Sequence, residues 1–219
     1  MNIAVRDYVT LQACALGLPQ RREMIAHRRA RSMSLGPAMR LQFEDELTAR
    51  HQIREVLHAE CITDPVAIQH EIDTYAHLLP DGTQWKATLL IQLPDSAERA
   101  RKLALLSDAA RDIYVECGKQ GRVYALANDD LSDRHLARPS GVHFLRFQLP
   151  EAMRLCLLDG ASAAIGCRHQ RYQWHRLIPS ATLRWLRGDL TRATCLPLRD
   201  KPGRAAPCRT RPETKGFPA

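Results

Sequence analysis

The sequence predicts an α+β fold: a mostly antiparallel sheet of five or six strands, flanked by helices. Helix and strand patterns both occur but do not alternate regularly, as a doubly wound parallel sheet requires. Ile113-Tyr114-Val115 and Val123-Tyr124-Ala125 flank Gly118 and Gly121, the pattern of an antiparallel hairpin. The composition is that of a globular chain with one sizeable core, 45% hydrophobic and 26% charged over 219 residues. One domain is expected over residues 1–190, followed by a disordered Arg/Pro-rich tail over 191–219.

Each element has its own signal. Val5 to Leu18 carries a helical apolar stripe, and Pro19 opens a second, well-solvated helix to about Arg31, which Gly36-Pro37 ends. Met39, Leu41 and Phe43 alternate with polar residues as a half-buried strand. Glu46 to Cys61 reads as a helix, and Thr63-Asp64-Pro65 starts another that runs to about Leu79. Pro80-Asp81-Gly82-Thr83 is a turn, and Trp85 to Leu93 is apolar on both faces, as a central strand is. Pro94-Asp95-Ser96 begins a helix that runs to Leu106. Asn128 to Gly141 is a polar loop, and Val142 to Leu149 is a further strand. Pro150-Glu151 opens a short helix, Ala161 to Cys167 is the last strand, and Pro179-Ser180 begins a final helix that ends near Gly188.

Charge and composition exclude several functions. The net charge is +8, but residues 20–31 contribute +4 and residues 191–219 contribute +5, which leaves the rest at −1. A broad basic face that tracks a phosphate backbone does not fit that distribution. Nucleic-acid binding through the basic helix and tail is therefore the weakest of three functional readings. No stretch is apolar and long enough for a membrane span. Seven cysteines with no CxxC pair and no signal-peptide pattern read as reduced thiols in a cytoplasmic protein. Neither GxxxxGK[ST] nor GxGxxG occurs, and no cofactor is evident.

Two constellations could carry chemistry. Glu44, Asp45, Gln52 and Glu55, together with Asp81, Trp85, Lys86 and Thr88 and with His143 and Arg146, supply paired carboxylates, a lysine beside an aromatic, and two further cationic groups. In one cleft they could hold an anion or move a proton. Arg146, in an apolar strand, calls for a carboxylate partner, with Glu44 and Asp45 as candidates. Their ordinary reading is a packing tryptophan, a core histidine and solvated charges. The second constellation is His51, Glu55 and His58, at i, i+4 and i+7 on one helix face, a spacing that can hold a divalent metal. Its ordinary reading is a solvated face, and it lacks the HExxH pattern.

Four segments, read together, carry a resemblance. They are residues 25–31 (Ile25-Ala26-His27-Arg28-Arg29-Ala30-Arg31) with Leu35-Gly36-Pro37; Phe43-Glu44-Asp45 with Gln52-Ile53-Arg54-Glu55-Val56-Leu57 and Glu60; Leu79 to Thr88; and Val142-His143-Phe144-Leu145-Arg146-Phe147. In this order they resemble the bacterial family known as domain of unknown function 3501, over roughly residues 5–190. His51, His58 and Cys61 depart from that family's pattern, which weighs against the metal reading. The family has no activity to transfer. Its members neighbour a rubrerythrin-like di-iron protein and an iron–sulfur oxidoreductase. The resemblance therefore implies a cytosolic accessory or interaction partner in electron transfer or peroxide defence, more an interaction protein than an enzyme. The alternative is an enzyme or small-ligand or metal binder that uses the carboxylate–Lys–His–Arg pocket.

Overall fold

The structure is a computed structural model that describes residues 18–76, 78–106, 108–127 and 140–191. The helix expected over Val5–Leu18 (but for Leu18), most of the loop expected over 128–141, and the tail beyond 191 lie outside the described residues. Among the described residues there are six α-helices: α1 (Leu18–Ala30), α2 (Glu46–Ala59), α3 (Pro65–Ala76), α4 (Ser96–Leu105), α5 (Glu151–Leu158) and α6 (Ser180–Thr191). The strands are β1 (Ser32–Leu35), β2 (Met39–Phe43), β3 (Gln84–Ile91), β4 (Ile113–Cys117), β5 (Arg122–Tyr124), β6 (Leu126–Ala127), β7 (Val142–Gln148), β8 (Ala163–His169) and β9 (Tyr172–Leu177). None of these helices is long and apolar enough to cross a membrane.

The α+β class and the antiparallel pairing are as the sequence predicts. The strands are divided between two sheets, one in the order β1-β2-β3-β7-β6 and the other in the order β5-β4-β8-β9. The chain crosses from one to the other at Ala125, which is buried and whose N–H donates to Ile113 O at 2.8 Å. Both sheets give one face to a single apolar cluster. Leu35, Leu41, Phe43, Trp85 and Leu89 come from the first, Ile113, Val115, Ile165 and Cys167 from the second. Met153 and Leu157 of α5 and Leu183 and Leu186 of α6 close it. Burial of this many large side chains, at about 1.5–3 kcal/mol each, is the main drive to fold.

Three strands are additions to the sequence reading, among them β6, the two residues after the expected Val123-Tyr124-Ala125 arm. Residues 32–35 are β1 rather than part of a loop after the helix, and Gly36 turns β1 into β2 with φ +72. Residues 172–177 form β9, beyond the strand expected to be last. The expected solvated character of α1 holds for Arg21, Arg22, Arg28 and Arg29, which are exposed. Arg31, just past its end, is instead buried. Its guanidinium donates to Phe43 O at 3.2 Å and Glu44 O at 3.0 Å, and pairs with Asp189 of α6 and with Asp45 at 3.4 Å. His27 Nε2 donates to the same Asp45 at 2.8 Å. Asp45 also caps α2, accepting from Thr48 N at 2.9 Å. One carboxylate thus ties α1, the end of β2 and α2 together.

Candidate functional site

Strand alternation decides which candidate residues meet. On β3, Trp85, Ala87 and Leu89 face the core, so Gln84, Lys86 and Thr88 face the other way. Glu44 extends β2 by one residue: its N–H donates to Lys86 O at 2.8 Å. Lys86 is directly opposite Arg146 on β7. Glu44, Lys86 and Arg146 therefore form one row across three adjacent strands, on the face turned away from the core. The next row places Gln42 opposite Thr88, and Thr88 opposite Phe144.

Glu44 is the most constrained member. It is 1% exposed, and its Oε1 accepts from Thr88 Oγ1 at 2.6 Å and from Gln52 Nε2 of α2 at 3.2 Å. Burial pushes its carboxyl above the usual carboxylate range, against hydrogen bonds from Thr48, Thr88 and Gln52 and the charge of Arg28. Among the described residues its buried Oε2 has no hydrogen-bond partner, and neither do Gln84 Oε1 and Arg146 Nε. Asp81 belongs to the same neighbourhood. It accepts from Thr83 N at 2.8 Å, Thr83 Oγ1 at 2.7 Å and Gln84 Nε2 at 2.6 Å. Burial opposes its ionisation, but those bonds and the charge of Lys86 outweigh it and hold the carboxyl below its ordinary value. The face thus brings two cations together with one carboxyl held ionised and one biased towards its proton. That arrangement can bind an anion, and it can present a proton donor beside it.

The remaining candidates lie elsewhere. Trp85 is on the core face, and its Nε1 donates to Leu186 O at 2.9 Å. His143 is also on the core face, opposite Leu89, with Nε2 donating to Ser140 O at 2.9 Å. Asp45 is engaged with Arg31 and His27, so neither it nor Glu44 forms the ion pair expected for Arg146. Glu55 is exposed and reaches His51 at 3.9 Å. Burial lowers the His51 imidazole below its ordinary value, against Glu55 and with the charges of Arg28, Arg54 and Arg21. His58 is exposed, and among the described residues no three His, Cys, Asp or Glu side chains gather at metal-binding spacing.

The family described as "Protein of unknown function (DUF3501)" matches residues 18–190. The chain belongs to the DUF3501 family. The match takes in every element from α1 to the last turn of α6, so the Glu44–Lys86–Arg146 row is set within the family's own fold. No curated protein matches this DUF3501 chain. Among solved structures it is similar to a crystal structure of a protein of unknown function from Burkholderia pseudomallei K96243. The two share 37% sequence identity and a TM-score of 0.76, over 86% of this chain and 95% of that one.

Sequence reasoning missed a second group: Tyr114, Arg122, Arg168, Gln173, Trp174 and His175 line a cleft at the outer face of the four-stranded sheet, Trp174 from a position whose side chain faces inward. Four of the six are on β8 and β9. Reading Tyr172–Leu177 as a strand, from its Tyr and Trp at alternate positions, would have exposed it.

Proposed function

We propose that this DUF3501 protein is a non-catalytic accessory of a redox system that holds a small anion on the outer face of its five-stranded sheet. The binding half is carried by one observation: Lys86 and Arg146 stand directly opposite each other on adjacent strands. Like charges in that position repel, more so where water is scarce. Glu44, on the other flank of Lys86, resists ionisation, and the ionised Asp81 answers part of the Lys86 charge, which leaves Arg146 as the cation with no ion pair among the described residues. An anion between the cations relieves the repulsion, and the orphaned Arg146 Nε gives it a donor. The redox half is supported by the family resemblance, which implies rubrerythrin-like and iron–sulfur partners in the cytoplasm and no cofactor of the chain's own. The acid–base reading draws on the raised Glu44 carboxyl in the same row and would need turnover of the bound anion.

Calorimetric titration with phosphate, sulfate, succinate and malate tests the binding half. Saturable binding of at least one is expected, weakened about tenfold or more in Arg146→Gln. Absence of binding, or equal binding by that variant, overturns it. Anaerobic affinity capture from the native host, with proteins and metals identified, tests the redox half. Recovery of a di-iron or iron–sulfur protein supports it, and a chain that emerges alone overturns it.

A further inference from the structure

The outer face of the four-stranded sheet is shaped by a missing side chain. Tyr114 on β4 and Gly166 on β8 are directly opposite each other. A methyl group on Gly166 would stand 2.3 Å from the Tyr114 ring. Gly166 therefore lets the ring lie down across β8, where Tyr114 is 3% exposed despite its position on an outer face. Its hydroxyl and His175 Nδ1 share a hydrogen bond of 3.1 Å, and the two rings lie within 27° of parallel. The Arg122 guanidinium sits 4.5 Å above the Tyr114 ring and is tied to Glu116 at 2.6 Å. All four strands contribute to this wall, and its members fix one another.

Beside the wall lies a cleft of about 370 Å³, lined by Tyr114, Arg122, Arg168, Gln173, Trp174 and His175 along with Cys167. None of the lining residues is acidic. Arg168 is exposed and forms no ion pair among the described residues, while the charge of Arg122 is shared with Glu116. Trp174, opposite the core-facing Cys167, turns its ring to the other face of β9 and rests against Gly36. The cleft thus offers a guanidinium without an ion-pair partner among the described residues, a side-chain amide and the exposed ring of His175, at the small end of ligand-site volumes.

We propose that this cleft binds a mononucleotide-sized aromatic anion, a planar ring that carries one phosphate. Arg168 meets the phosphate through its fork of donors, with Arg122 as a second, partly neutralised cation. The ring lies against the exposed imidazole of His175, and Gln173, on the same face, supplies hydrogen bonds to its edge. A single strand of nucleic acid fits the site less well, because successive bases need a run of open aromatic platforms, and the Tyr114 ring is covered. The proposal is independent of the Lys86–Arg146 row.

Amide chemical-shift titrations of the full chain with AMP, CMP, adenosine, inorganic phosphate and a short oligothymidylate test it. AMP or CMP is expected to shift the amides of Gly166, Gln173 and His175, and to bind more tightly than adenosine or phosphate. Arg168→Gln is expected to weaken that binding about tenfold, with Arg146→Gln unaffected. His175→Leu is expected to lose a similar factor through stacking, while Trp174→Leu, on the opposite face of β9, is expected to leave binding unchanged. No shifts up to millimolar AMP and CMP, equal binding by Arg168→Gln, phosphate binding as tightly as AMP, or binding of the oligothymidylate alone would each overturn the proposal.

Discussion

Glu44 shows what burial does to a carboxylate with too few donors. Oε1 accepts from Thr88 and Gln52, Thr48 gives the carboxyl further support, and among the described residues nothing bonds to Oε2, so burial outweighs the donors. Its pKa is therefore raised on folding, and the sign of the pH effect follows. Below the unfolded value of 4.5 the proton is bound in both states and costs nothing. As pH rises from there towards the folded value, the folded state must either keep its proton or ionise in a poor solvent, so stability falls. Glu44→Gln removes that loss. Thermal melts from pH 4 upward should show the variant gaining on the native protein as pH rises, then levelling off. A constant offset would mean that Glu44 does not titrate differently on folding. The sequence reading found Glu44, Lys86 and Arg146, because charged residues in otherwise apolar strands stand out. It also gathered Trp85 and His143 into the same pocket. Trp85 is next to Lys86 in the chain, yet the two-residue period of a strand puts them on opposite faces. Nearness along a strand says little about nearness in space.

The elements that sequence reading located were those with strong local signals: Asp caps on α2 and α4, Pro in the first turn of α3, and alternation in β2 and β7. The three that it missed, β1, β6 and β9, are edge strands, and β1 and β9 are held by distant contacts. Tyr172 Oη donates to Leu35 O at 2.6 Å, and the hydroxyl oxygen accepts from Ala38 N and Met39 N at 3.0 and 3.2 Å. Those bonds join β9 to the β1–β2 turn across more than a hundred residues, and no local propensity encodes them. The β8–β9 hairpin makes a quantitative claim at this scale. Gly166→Val drives a branched side chain into the Tyr114 ring and forces that ring off His175. Overpacking of this kind costs about 1–3 kcal/mol. Because the clash has one main partner, Tyr114→Ala should relieve much of it. Urea denaturation of the two single variants and the double variant should give a double-variant loss well below the sum. Strict additivity would place the strain elsewhere.

Two sheets and two helices meet in one apolar cluster, so the core should open as a unit rather than sheet by sheet. A sequence cannot easily show this. Each strand's inner face was legible from alternation, but whether nine strands form one sheet or two depends on which edges pair, and that is fixed by contacts far apart in the chain. The cysteines are natural reporters of the opening. Cys61 is exposed, with φ 53, after the end of α2. Cys117 and Cys167 lie on the inner face of the four-stranded sheet and belong to the shared core. Burial pushes both thiols up to about 11, with the neighbouring Cys156 thiol adding to the effect at Cys117. Only thiolates alkylate at a useful rate, so at pH 8 both core thiols are protected twice, by access and by protonation. Alkylation with iodoacetamide, followed residue by residue by mass spectrometry, should therefore modify Cys61 before either core thiol. Cys117 and Cys167 should stay unmodified until urea unfolds the chain, then react together along the same denaturation curve as the loss of helix. If either core thiol reacts in native buffer at the rate of Cys61, or if the two part company in urea, the second sheet opens independently and the shared core is not the cooperative unit.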